Sequence, residues 1–155
     1  MNSDQQQHFY VLRPGEKEVP KYLREAFEKG NRLQDILVSQ FDEGKTGNEI
    51  LLAALAQAKT EGITASIYTH PIGYHGHAAG PTIGMWDQQQ GVKGTGDYPM
   101  YKNTVYSIEL NAASEIKEWN KVIRIMLEED GYFDGDHFYF LDSRQDEIQT
   151  IPRQN

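Results

Sequence analysis

Residues 68–81, YTHPIGYHGHAAGP, hold three of the chain's five histidines: His70, His75 and His77. Imidazoles this close together can bind a metal, move protons or simply line a glycine-rich loop. Two carboxylates further along bear on the choice. Glu109 stands in NTVYSIELN and Glu128 in KVIRIMLEED, each near the end of an alternating, strand-like run. A lone histidine at a strand end is more often structural, and a lone glutamate is more often solvated. It is their joint occurrence that points to a site. Carboxylates with imidazole suit Mn, Co, Fe or Zn rather than a soft metal. Two carboxylates able to bridge suit a pair of ions about 3.5–4 Å apart. The chain has no cysteine, which excludes thiolate ligation and disulfides.

The elements that must position these groups follow from the pattern. Residues 8–12, HFYVL, read as a strand closed by a turn at RPG. Over residues 19–41, Leu23, Phe27, Leu33, Ile36 and Leu37 recur at helical spacing, with Gly30 the weakest point. Thr46 with Glu49 three residues later is a capping box opening a second helix, which Gly62 ends. Residues 63–69 form a strand that delivers the chain to His70. Residues 78–100, rich in glycine, read as a long exposed loop whose Trp86, Tyr98 and Tyr101 are candidates to shape a pocket. Strands follow at 103–111, at 121–130 and from His137. One strand, two helices and then mostly strands is an α+β order, with an antiparallel sheet rather than a βαβ repeat.

Composition narrows the function. The length is that of one domain, and 38% apolar content with nine Tyr and six Phe supplies a core. A net charge of −8 and a pI near 5.1 speak against a nucleic-acid binder and against an anionic membrane surface. There is no run of 18 apolar residues, and residue 1 onward shows no charged n-region followed by an apolar h-region, so no export signal is expected. Together with the absence of cysteine, this leads us to expect a soluble, cytoplasmic protein.

HPIGYHGH, then SIELN, then RIMLEED resemble, in that order, the motifs of the pita-bread-fold metallopeptidases: methionine aminopeptidases, Xaa-Pro aminopeptidases and dipeptidases, and creatinase. His70 and His77 have the family's seven-residue spacing, with Ile72 and Gly73 in place. Glu109 matches the first glutamate and Glu128 the second, with Glu129 beside it as the alternative. LRPGE and the two helices, the second opened by KTGNEI, are similar to the segment leading into the histidine strand. The likeness runs from about residue 2 to 150, and the long loop after His77 is nearest the Xaa-Pro branch.

The resemblance implies an exopeptidase acting on a peptide substrate, with two divalent metal ions (Mn, Co or Zn) held by two Asp, one His and two Glu. Here Asp4, in NSDQQQHFYVLRPG, matches the second Asp; the first would precede Met1. The expectation is therefore the C-terminal portion of a catalytic domain, lacking an upstream strand and an N-terminal domain. Asp4, His70, Glu109 and Glu128 would be ligands, Glu109 would also shuttle a proton, and His77 would stabilise the developing oxyanion. His75, His8 and His137 have no slot. Apolar sheet surface left bare by missing strands would favour a homodimer. The alternative is a pita-bread module that binds a peptide or protein without catalysis, although four residues of the right type favour the enzyme. A creatinase-like hydrolase using the histidine without metal is a third reading, which the kept glutamate pair opposes.

Overall fold

A computed structural model describes residues 3–152 as one short strand, two helices and six further strands. Helix α1, Lys21–Val38, buries Leu23, Ala26, Phe27, Leu33, Ile36 and Leu37 along one stripe, as their spacing predicts. Helix α2, Gly47–Thr60, opens with the predicted capping box. Thr46 N donates to Glu49 Oε2 at 2.8 Å, and Glu49 N donates to Thr46 Oγ1 at 3.2 Å. Gly30 stays inside α1 because the helix lies close to the sheet there. A Cβ at that position would stand 2.9 Å from Leu127 Cδ1 and 3.0 Å from Ile125 Cγ2.

Strands β2 (Thr64–Ile67), β4 (Thr104–Ile116), β5 (Lys121–Phe133) and β6 (Phe138–Phe140) lie in that order in one antiparallel sheet. The two-residue β3, His70–Pro71, also pairs with β4. Strand β1, Phe9–Val11, pairs in parallel with β7, Gln149–Ile151, in a separate two-stranded sheet. Tyr106, Ile108, Leu110 and Ala112 of β4, with Ile125 and Leu127 of β5, pack with both helices in one buried core. Each such large apolar side chain contributes roughly 1.5–3 kcal/mol when fully buried. Strand alternation then commits Glu109, Asn111 and Ala113 of β4, and Arg124, Met126 and Glu128 of β5, to the opposite face. That face is a cleft.

Three expectations need correction. The central strands run past their predicted ends, to Ile116 and Phe133, because thirteen-residue pairing between β4 and β5 overrides weak local propensity at Ala112, Ala113 and Gly131. At Gly131 the Phe138 ring covers the strand so closely that a Cβ would fall 1.8 Å from Cζ. The 78–100 loop is not simply exposed, since Ile83, Val92 and Met100 are buried. Asn48 holds the loop through Val92, and Gln89 holds it against β2 by accepting from Ile67 N and donating to Ile67 O, both at 2.9 Å. Gly84 passes that edge with φ +73°, where a Cβ would be 2.2 Å from Ile67 O. Strand β7 went unforeseen because three residues carry no alternation; only pairing with β1 defines it.

Candidate metal centre

The register of β4 against β5 sets Glu109 directly opposite Glu128, and that of β3 against β4 sets His70 opposite Ser107. Residues directly opposite on one face have Cβ atoms about 4.5–5.5 Å apart, so the pairing alone gathers these side chains. A ligand atom from each of His70, Glu109 and Glu128 lies within 4.8 Å of the others. Ser107 Oγ donates to Glu128 Oε1 at 2.8 Å and orients it. Glu129 lies on the helix side with Leu127, accepting from Gln7 Nε2 at 3.1 Å and from Gln145 N at 3.1 Å. Parity thus turns Glu128, and not Glu129, into the cleft.

Asp4 arrives from the other direction. Gln6 forms a two-bond bridge with Glu128 along the outer edge of β5, at 2.8 and 3.1 Å. Two residues earlier on the same face, Asp4 Oδ2 comes within 3.9 Å of His70 Nε2. Glu109 Oε2 is 3.8 Å from the same nitrogen. His70 Nδ1 is 3.1 Å from the Pro71 carbonyl. A carbonyl only accepts, so Nδ1 carries the proton and Nε2 presents a lone pair. That nitrogen is buried without a hydrogen-bond partner. An acceptor surrounded by carboxylate oxygens, with no proton donor of its own, is what a divalent cation fits. Nitrogen and oxygen donors of this kind suit Mn, Co or Zn.

The electrostatics agree. Burial, with Glu128 and Asp4 alongside, pushes the Glu109 carboxyl up to about 7. Burial also raises Glu128 and lowers His70, whose neighbour His77 acts in the same direction. Tyr68 is raised by burial and then by Glu109, Asp4 and Glu128. Each group is held toward its uncharged form, and a cation in their midst would relieve all the carboxylates together.

The His77 ring stacks on His70 with centroids 4.0 Å apart, and His77 brings a ligand atom within 4.8 Å of those of Asp4 and His70. His75 is exposed and packs edge-on against Tyr74. His8 donates from Nε2 to the Met126 carbonyl, and His137 is exposed beside Asp136. The cleft beside the carboxylates has a volume of about 440 Å³. Tyr68, Trp86, Asn111, Met126 and Arg124 are among its lining, whereas Tyr98 and Tyr101 are not. Sequence reasoning missed Ser107, Asp130 and Gln145. Asp130 receives the Asp4 amide and Gln145 the His8 amide; both are contacts between chain segments more than a hundred residues apart, which leave no local pattern.

No profile of a known protein family and no curated protein matches the chain. Among solved structures it is similar to an X-Pro aminopeptidase from Thermotoga maritima MSB8, at 19% identity and TM-score 0.63, over 86% of this chain and 34% of that one. It is similar to a dipeptidase from Pyrococcus horikoshii OT3, at 17% identity and TM-score 0.65, over 96% of this chain and 37% of that one. It is also similar to the N-terminal domain of the FACT complex subunit SPT16 from Cicer arietinum (chickpea), at 15% identity and TM-score 0.65, over 94% and 33%. The chain therefore spans about a third of the length of these structures. At such identities the likeness shows the fold, and the fold is that part of the pita-bread fold which this chain shares with the aminopeptidase and dipeptidase structures.

Proposed function

We propose that Asp4, His70, Glu109 and Glu128 hold divalent metal, and that the adjoining cleft serves hydrolysis of a peptide's N-terminal bond, of the Xaa-Pro type. The chain acts as part of a catalytic domain, in which these four side chains are ligands of the metal. One observation carries the reading. The buried His70 Nε2 has no hydrogen-bond partner and faces Asp4 and Glu109 carboxylate oxygens at 3.9 and 3.8 Å. A pair of Mn, Co or Zn ions in the full ligand set would supply an activated water and polarise the scissile carbonyl.

The chain's own residues do the rest. Glu109 takes a proton from the attacking water and returns it to the leaving amine. His77 donates a hydrogen bond to the carbonyl oxygen as charge develops, an effect typically worth about 3 kcal/mol. Tyr68 and Trp86 flank the substrate in the cleft. The test is release of free amino acid from Xaa-Pro dipeptides, and from peptides beginning with Met, with Mn²⁺ or Co²⁺ present. Cleavage of the former, lost in Glu109→Gln, supports the reading.

A binding module is the second reading, favoured by the likeness to the SPT16 domain at a TM-score equal to that of the dipeptidase. Peptide binding without metal dependence or turnover would establish it. We further assign the protein to the cytoplasm and expect it to self-associate as a homodimer. Phe9, Val11 and Ile151, on the paired strands β1 and β7, expose 65%, 62% and 46% of their surface, and that apolar area is better covered by a second copy. Light scattering that gives a monomer mass at high concentration would remove the dimer.

A further inference from the structure

Asp4 sits on a segment that burial cannot hold. Gln5, Gln6 and Gln7 are exposed, and among the described residues before β1 the only backbone pairing is the bridge of Gln6 to Glu128. Ordering such a segment costs conformational entropy at every residue, so something else must fix Asp4 beside His70.

The polar contacts supply it. Gln145, 7% exposed, works as a stand-in strand residue. Its Oε1 accepts from His8 N at 2.7 Å, and its Nε2 donates to His8 O. Its own amide donates to Glu129, which accepts from Gln7 as well. Asp130, 5% exposed, turns both carboxylate oxygens to Asp4 N at 3.2 and 3.3 Å. Next to Gln145, Arg144 is tied to Asp35 of α1 at 2.6 Å. Helix α1 and residues 144–145 thus hold the N-terminal segment at Gln7 and His8, while Asp130 holds it at Asp4.

From these contacts we propose that Gln145 and Asp130 are positioning residues that hold the N-terminal segment so that Asp4 faces the metal. This rests on reading Asp4 as a ligand. Neither residue offers a ligand atom to the cluster; Asp130 acts through the Asp4 backbone amide and Gln145 through His8, four residues on.

Two measurements on the whole chain test it. The first, without metal, is amide hydrogen exchange. Gln145→Ala should speed exchange at His8 and Gln6 at least tenfold while Leu110 in β4 keeps its protection. Unchanged exchange at His8 and Gln6 overturns the bracket whatever the chain binds. The second is Co²⁺ affinity and the visible Co²⁺ spectrum in a double-mutant cycle. Gln145→Ala or Asp130→Ala should weaken binding about 10- to 100-fold and alter the spectrum, whereas Asp130→Asn, still an acceptor for Asp4 N, should restore most of it. In an Asp4→Ala background Gln145→Ala should change affinity less than about twofold, because its route is gone. An equal loss in that background makes Gln145 generally structural and refutes the proposal. If the wild type keeps its protected amides yet binds no Co²⁺, the ligand reading of Asp4 fails, and the positioning role with it.

Discussion

Replacing Glu109 by glutamine should make the metal-free protein more stable and the metal-loaded protein less so. The side chain lies opposite Glu128 with Asp4 nearby, and its carboxyl is pushed from the ordinary 4.5 up to about 7. Each pH unit between those values carries about 1.4 kcal/mol, so ionised Glu109 costs the fold at most about 3 kcal/mol. The side chain keeps 32% of its exposure, and solvent screening reduces the figure to about 1–2 kcal/mol. The sign follows from the raised value. The fold favours the protonated carboxyl, so the penalty is absent below about pH 4.5, grows through the interval and is complete above about 7. His70, lowered from 6.5, works oppositely and loses stability on acidification, but at pH 8 it is neutral in mutant and wild type alike. At pH 8 in chelator, Glu109→Gln should therefore raise Tm by about 2–8 °C, and at pH 4.5 the two proteins should coincide. With metal at 1,000 times its dissociation constant the wild type gains about 4 kcal/mol and the order reverses. Thermal melts at two pH values, with and without Mn²⁺, read all four cases. A mutant no more stable than wild type at pH 8 in chelator would refute the carboxylate crowding.

Other changes probe the frame around the site. Gly30→Ala should destabilise by about 1–3 kcal/mol in urea titration; the new Cβ meets Leu127 and Ile125, outweighing the helix-propensity gain of about 1 kcal/mol. Thr46→Ala breaks the capping box and should cost about 1 kcal/mol without changing metal affinity. Gln89→Ala strips the partner from Ile67 N and O on the edge of β2. We expect a loss of about 1–3 kcal/mol and faster aggregation, read by turbidity, as the edge opens.

Part of this site was legible in the order HPIGYHGH, SIELN, RIMLEED, which marks His70, Glu109 and Glu128 and leaves Glu129 as an alternative; strand parity in the structure separates the two. Ile123, Ile125 and Leu127 share the helix face with Glu129, so Glu128 must turn to the cleft. The same rule sets Glu109 opposite the buried Ile108 and Leu110. The capping box and the stripe of α1 were equally plain, since each is a contact within four residues. What could not be read is what depends on distant pairing. The extension of β4 to Ile116 needs β5 beside it. The seat of Asp4 needs Gln6 on Glu128 and the Asp4 amide on Asp130, contacts spanning more than 120 residues. Gln145 carries no local mark of its role, because a buried glutamine reads in sequence as one more polar loop residue. Loop 78–100 misled for a related reason: its glycines suggest exposure, yet Gly84 is there to let the backbone pass Ile67 O.

The most direct test of the account is titration calorimetry of the chain with Mn²⁺ and Co²⁺, in parallel with His70→Ala. His70 Nε2 is the buried lone pair around which Asp4, Glu109 and Glu128 gather. Submicromolar binding by the wild type, abolished in His70→Ala and accompanied by proton release from Glu109 at pH 6.5, is the predicted result. Absence of binding by the wild type, or binding that survives the loss of His70, would contradict it.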